Sequence, residues 1–314
     1  MSRISVHLFG RFRARAARGD VDGLDACKVQ ELLCYLLVHR DRPHARESLA
    51  ALLWGDTPTA KSKKYLRQAL WQLQTALDAR DGEESPGVLT VEHDWVRLNS
   101  NENFWLDVAV FERAFALAKG APGREMDEAR AALLREAVEV YAGDLLEGWY
   151  QDWCLYERER LQNMYLAMLD KLIGYSEAHQ QFELGLTYGA QILRHDRARE
   201  RTHRQMMSLQ YLSGDRTAAL RQYERCAAAL DEELGVRPDK RTSALYQQIR
   251  AGSVETGAEQ AAAQPQAPRE ADAGSPSLAD VLGRLNQIQT ILADMQQRVN
   301  QEIKAVKLVI GETR

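Results

Sequence analysis

The segment ERTHRQMMSLQYLSGDRTAALRQYERCAAALDEELG, residues 200–235, constrains this chain most. Two stretches of helical periodicity meet at Ser213-Gly214-Asp215, which reads as a tight turn. A pair of helices this short cannot bury its apolar side alone, so it needs a neighbour of the same kind. The neighbours are present. WLDVAVFERAFALA from Trp105, DEARAALLREAVEVY from Asp127 and a long run from about Asp152 to Ser176 all repeat with the same period. Residues 101–250 are therefore expected to form a stack of helix pairs.

The unit of about 34 residues is that of tetratricopeptide-like repeats. Residues 1–100 are built differently. ISVHLFGRFRARA alternates at Ile4, Val6 and Leu8 and turns at Gly10, which predicts a short hairpin or pair of strands. CKVQELLCYLLVH, from Cys27 to His39, predicts an apolar helix. RDRPH then turns the chain, and ARESLAALLWGD predicts a second helix ending at Gly55. Thr57 is a candidate N-cap and Pro58 suits the first turn of a third helix, running to about Arg80. VLTVEHDWVRL predicts two strands around an EHDW turn. Strands, three helices and a hairpin in this order are the plan of a winged helix-turn-helix domain. The expected fold class is mainly α: a winged helix (α+β), a tetratricopeptide-like helical domain and a C-terminal coiled coil.

The coiled coil is read from heptads. After a linker at 251–277, rich in Ala, Gly, Pro and Gln and expected to be disordered, comes a segment at 278–310. Leu278, Leu285, Leu292, Val299 and Val306 occupy position a. Val281, Ile288, Met295, Glu302 and Val309 occupy position d, with Glu302 the one polar member. Self-association into a dimer, trimer or tetramer is expected.

Charge is nearly balanced, at −4 for the chain. Residues 1–100 hold 15 Lys/Arg against 13 Asp/Glu, a small basic excess. Contact with a polyanion would therefore depend on where cations sit, not on a global field. The third helix places them. At about 100° per residue, Leu66, Leu70, Leu73 and Leu77 fall within about 60° of one another and face a core. Lys61, Lys64, Gln68, Trp71 and Thr75 lie opposite, with Gln72 beside them and Arg67 and Gln74 on one shoulder. A helix fits the major groove, where Gln pairs with adenine edges and Lys or Arg holds phosphates or guanine. In the hairpin, His93 and Asp94 are expected at the turn and Arg97 on the return strand near a phosphate or minor groove. Trp54 reads as core, and Trp71 as a contact to sugar, thymine methyl or protein.

RPHARESLAALLWGD followed by KKYLRQALWQLQTALD resembles the DNA-binding domain of SARP-type (antibiotic regulatory protein) activators, which share the winged helix of response regulators. YAGDLLEGWYQDWCLYERERL and HRQMMSLQYLSGDRTAALRQYERCAAALDEELGVRPDKRTSALYQQI resemble the bacterial transcriptional activator domain. The likeness covers roughly residues 1–250, and the run from Ala219 to Pro238 is its most specific part. It implies a transcription activator that binds repeated double-stranded DNA sites near a promoter and contacts RNA polymerase. The family commonly carries arginine near positions 72 and 74. Gln72 and Gln74 stand there in this chain, which implies weaker phosphate attraction and a shallower salt dependence. Oligomerisation could compensate by avidity.

Other chemistries find little support. There is no GxxxxGK, HExxH or GxSxG motif, and the seven histidines show no metal-ligand spacing. No enzyme activity, cofactor or metal is expected. His39 and His44 are expected at the surface, and His179, His195 and His203 in capping or solvated roles. Trp149, Tyr150, Trp153 and Tyr156 read as a packing seam between helices. Cys27, Cys34, Cys154 and Cys226 form no CxxC pair and read as thiols of a reducing cytoplasm. No apolar run is long enough to span a membrane, and the start lacks a secretion signal. The alternative reading is a protein-interaction scaffold whose winged helix no longer binds DNA.

Overall fold

A computed structural model describes residues 4–16, 19–24, 26–78, 88–99 and 104–253. The linker from 254 and the heptad segment lie outside the described residues.

β1 (Ile4–His7) buries Ile4 and Val6 on one side, as period-2 alternation requires. It pairs antiparallel with β2 (Arg13–Ala16), Val6 opposite Ala14. The chain reverses between them through Gly10, whose φ of 79° suits a residue without Cβ. β3 (Gly19–Asp20) extends the sheet beside β2. Three helices follow: α1 (Cys27–Val38), α2 (Arg46–Trp54) and α3 (Thr59–Asp78), with the two-residue β4 (His44–Ala45) just before α2. β5 (Leu89–Val91) and β6 (Trp95–Leu98) form the wing hairpin, and β4 pairs with β6 on its other side.

β7 (Phe104–Leu106) then lies parallel to β1, Val6 opposite Leu106. This return strand was not visible in the sequence, where Trp105 and Leu106 read as the start of a helix. The first sheet is thus completed after residue 100, in the order β3-β2-β1-β7. The helices begin only at α4 (Asp107–Leu117).

α5 (Glu128–Val140), α6 (Asp152–Ala178), α7 (Phe182–His195), α8 (Glu200–Leu212), α9 (Arg216–Leu234) and α10 (Lys240–Ala251) complete the helical part. The expected turn at Ser213-Gly214-Asp215 joins α8 to α9, and the Asp215 carboxylate caps α9 by accepting the Ala218 amide at 2.8 Å. Asp239 caps α10 in the same way through Thr242, at 2.7 Å. Two glycines let α7 approach α8: a Cβ on Gly189 would lie 2.7 Å from Met206 Cγ, and one on Gly185 2.8 Å from Leu209 Cδ1.

The winged helix and the helix stack share one continuous core. Asp107, 1% exposed, accepts the amides of Leu8, Phe9 and Val108 at 2.7, 2.9 and 2.7 Å. The loop before α6 is laced to the turn after β1, with Gly10 N–H donating to the Asp144 carbonyl and Leu146 N–H to the Leu8 carbonyl, both at 2.8 Å. Arg158 of α6 holds that loop by donating to the carbonyls of Leu145, Leu146 and Trp149 at 3.0, 2.9 and 3.0 Å. Arg40, just past α1, and Arg160 of α6 both pair with Glu112 of α4 at 2.6 Å. The two parts are therefore braced by polar bonds, those of Asp107 fully buried, as well as by apolar packing.

Several expectations about single residues change. His44 is buried, and its Nε2 lies 2.9 Å from the His39 carbonyl. With Tyr35 and Trp153, whose rings meet edge-on at 5.3 Å, the two histidines form an aromatic knot between α1 and α6. His203 is buried too; its Nε2 donates to the Arg197 carbonyl at 2.9 Å and its Nδ1 accepts from Gln222 at 2.7 Å. The seam of aromatics is half right. Trp153 is buried and Trp149 packs on the core, but Tyr150 and Tyr156 are 78% and 74% exposed. All four cysteines are free, and only Cys27 is exposed.

Candidate nucleic-acid interface

α3 is amphipathic because its apolar residues recur every three or four positions. Leu66, Ala69, Leu70, Leu73 and Leu77 are each at most 3% exposed, and every buried leucine contributes about 1.5–3 kcal/mol. Its first intrahelical acceptor is the Pro58 carbonyl, which takes the amides of Lys61 and Ser62 at 2.8 and 3.1 Å. Pro58 therefore sits at the capping position, and Thr57 lies one residue outside it.

The opposite face is open. Lys61, Lys64, Arg67, Gln68, Trp71 and Thr75 are exposed, Trp71 at 66%, while Gln72 is half-buried. Among the described residues, Lys61, Lys64 and Arg67 have no ion-pair partner, and the amides of Gln68 and Gln72 have no hydrogen-bond partner. The neighbouring Lys63 is committed differently, to Glu47 of α2 at 2.5 Å. Thr75 donates its hydroxyl proton to the Trp71 carbonyl at 2.9 Å, so outward it offers a methyl group and lone pairs, not a donor. Gln74, on the shoulder, is half-buried.

The wing is fixed relative to this helix. The Arg46 amide donates to the Asp94 carbonyl at 2.9 Å, and its guanidinium donates to the Glu92 carbonyl at 3.2 Å. The start of α2 is thereby fastened to the hairpin turn, and α2 in turn packs along α3. On β6, Val96 and Leu98 point inward while Trp95 and Arg97 point outward on one face. Arg97 is where the sequence placed it. Trp95, 47% exposed beside it, was missed, although the same alternation that exposes Arg97 exposes Trp95. His93 and Asp94 occupy the tip and are both exposed. Trp54 is half-buried against the core, its ring centroid 6.2 Å from that of Tyr65.

No group of three or more histidine, cysteine or acidic side chains placed to hold a metal occurs among the described residues. No helix among them is long and apolar enough to cross a membrane.

Fold and exposed helix together define a winged helix-turn-helix unit joined to a stack of antiparallel helix pairs. Comparison with known proteins gives this class a family. Residues 106–250 match the bacterial transcriptional activator domain. The chain is 28% identical over 224 residues to regulatory protein AfsR of Streptomyces coelicolor, covering 69% of this chain and 21% of that protein. It is 25% identical over 236 residues to transcriptional regulatory protein MoaR1 of Mycobacterium bovis and of Mycobacterium tuberculosis, covering 74% of this chain and 75% of theirs. The chain thus spans about a fifth of AfsR but three quarters of MoaR1. A solved structure of Mycobacterium tuberculosis EmbR, in complex with a low-affinity phosphopeptide, shares the fold, with a TM-score of 0.64 over 83% of this chain and 68% of that one at 19% identity. Residues 106–250 are thus a bacterial transcriptional activator domain, and the chain as a whole is similar to SARP-type transcriptional regulators.

Proposed function

We propose that this protein regulates transcription by binding double-stranded DNA through the outer face of α3, with the wing residues Arg97 and Trp95 on the adjacent backbone. One observation supports the reading: among the described residues, three cations without ion-pair partners and two amides without hydrogen-bond partners lie on the outward side of a helix anchored by leucines. Uncommitted cations gain most from a phosphate, because no internal pair has to be broken first. Lys61, Lys64 and Arg67 hold phosphates or guanine, and Gln68, Trp71, Gln72 and Thr75 face base edges. The activator domain contacts RNA polymerase, and exposed Tyr150 and Tyr156 give it an aromatic surface for a protein partner. The heptads from Leu278 to Val309 join copies of the chain in the cytoplasm, and avidity raises affinity for repeated sites.

Mobility shift with duplex from the upstream region of the protein's own gene, at two salt concentrations, tests this. The expected result is sequence-specific retention that weakens at the higher salt. Absence of retention at both, with a protein partner recovered by pull-down, would favour a scaffold role.

A further inference from the structure

The outer face of α3 is divided chemically along its length. Its N-terminal half presents Lys61, Lys64 and Arg67; its C-terminal half presents Gln68, Trp71, Gln72 and Thr75 and no cation. The two halves suit different partners in a groove.

A primary amide offers one N–H donor and one carbonyl acceptor side by side. Adenine presents the matching pair in the major groove, an N7 acceptor and an N6 donor. Guanine presents two acceptors there, which fit a guanidinium or ammonium and leave the amide carbonyl unmatched. Gln68 is exposed and Gln72 half-buried, and neither amide is tied to the protein among the described residues. Both are therefore free to pair outward.

Trp71 and Thr75 add an apolar strip. They are four residues apart and so are neighbours on the helix surface, and Trp71 lies three residues from Gln68. The Thr75 hydroxyl proton is held by the Trp71 carbonyl, which leaves its methyl beside an indole that is 66% exposed. The apolar group of the major groove is the thymine C5-methyl. An A·T pair places that methyl beside the adenine edge, so amide and apolar strip match one kind of base pair together.

We propose that the C-terminal half of this face reads A·T pairs, Gln68 and Gln72 bridging adenine N7 and N6 while Trp71 and Thr75 cover thymine methyls. The inference rests on the reading that α3 enters the major groove. From Gln68 to Thr75 the helix rises about 10 Å, the length of about three base pairs. The site is thus a run of about three A·T pairs, flanked by phosphates held through Lys61, Lys64 and Arg67.

Selection of duplexes from a random library by the full chain tests it, followed by two comparisons on the selected site. The expected core is a run of A·T pairs. Gln68→Ala with Gln72→Ala should lower discrimination against a G·C-substituted core by roughly tenfold or more. Replacing core thymine by uracil removes only the methyl; it should weaken the unaltered protein and affect Trp71→Ala less. The uracil arm leaves the protein untouched, so it stands even if a variant folds poorly. Salt-sensitive binding to a selected core of G·C pairs would overturn the inference while the DNA reading stands. Discrimination unchanged by both glutamine substitutions would overturn it in the same way. Failure to retain any duplex at low salt would remove the DNA reading, and this inference with it.

Discussion

Asp107 reaches back across the chain to Leu8: its Oδ2 accepts the Leu8 amide at 2.7 Å, in a site where the carboxylate is 1% exposed. The same oxygen takes Phe9, and the other takes Val108. One side chain thus ties the end of β1 to the start of α4, where the winged helix meets the activator domain. Asp107→Ala would leave three buried amides without an acceptor, and an unpaired buried donor costs about 1–3 kcal/mol. We expect a loss of about 3 kcal/mol or more in urea unfolding. A loss below about 1 kcal/mol would mean that water or a neighbour replaces the carboxylate.

Arg158 makes a second brace. It donates to three carbonyls of the loop that carries Leu146, a non-glycine residue held at φ 49°. A lysine keeps the charge but not the planar fork that reaches three acceptors. Arg158→Lys should therefore lower stability by about 1–3 kcal/mol, measured by the same unfolding, and speed proteolysis near Leu146. Unchanged stability and an unchanged cleavage pattern would remove this role.

Gly123 tests packing against α6. A Cβ there would lie 2.2 Å from the Lys171 carbonyl oxygen, a backbone atom that cannot swing aside. Gly123→Ala should cost at least about 1–3 kcal/mol, the range for overpacking. Gly120→Ala is the contrast: a Cβ there has open space, and its cost comes from a φ of 83° alone. Equal thermal stability of Gly123→Ala and the parent would contradict the close approach.

Acid should loosen the fold early. Burial holds the imidazoles of His39, His44 and His203 below the ordinary histidine value of about 6.5. The native state then binds fewer protons than the unfolded one, so stability is full above about pH 6.5 and is lost as pH falls toward the lowered values. Protonating His203 Nδ1 would also break its bond from Gln222. His203→Gln should flatten the decline between about pH 6.5 and 5.5, by at most about 1.4 kcal/mol per pH unit. Identical pH profiles for the variant and the parent would contradict it.

These joints explain which parts of the molecule could be read from the sequence. α3 and its two faces follow from leucines three and four apart, and the α8–α9 turn follows from Ser213-Gly214-Asp215; both signals are local. The candidate site was legible for the same reason, because exposure on a helix or strand follows from period. Trp95 was overlooked although the alternation of β6 carried it. What stayed hidden depends on partners distant in sequence. β7 is a strand because β1 lies beside it, about a hundred residues earlier. His44 is buried by Tyr35 and the wing strand, and His203 by Gln222 of the next helix. Tyr150 and Tyr156 fall outside the seam because the loop and first turn of α6 aim only Trp149 and Trp153 at the core.

The heptad segment makes its own prediction. Light scattering of a chain lacking residues 278–314 should show a monomer or weak dimer, where the full chain gives a larger particle. Equal mass per particle would place self-association elsewhere.

The proposed DNA contact of α3 rests on cations that have no ion-pair partner among the described residues. Its most direct test is affinity for one duplex across a salt series, comparing the parent with Lys61→Ala, Lys64→Ala. Each phosphate contact contributes about −0.9 to the slope of log K against log salt, so the double variant should bind more weakly at every salt with a slope shallower by about 1.8. An unchanged slope and affinity in a folded double variant would contradict the account.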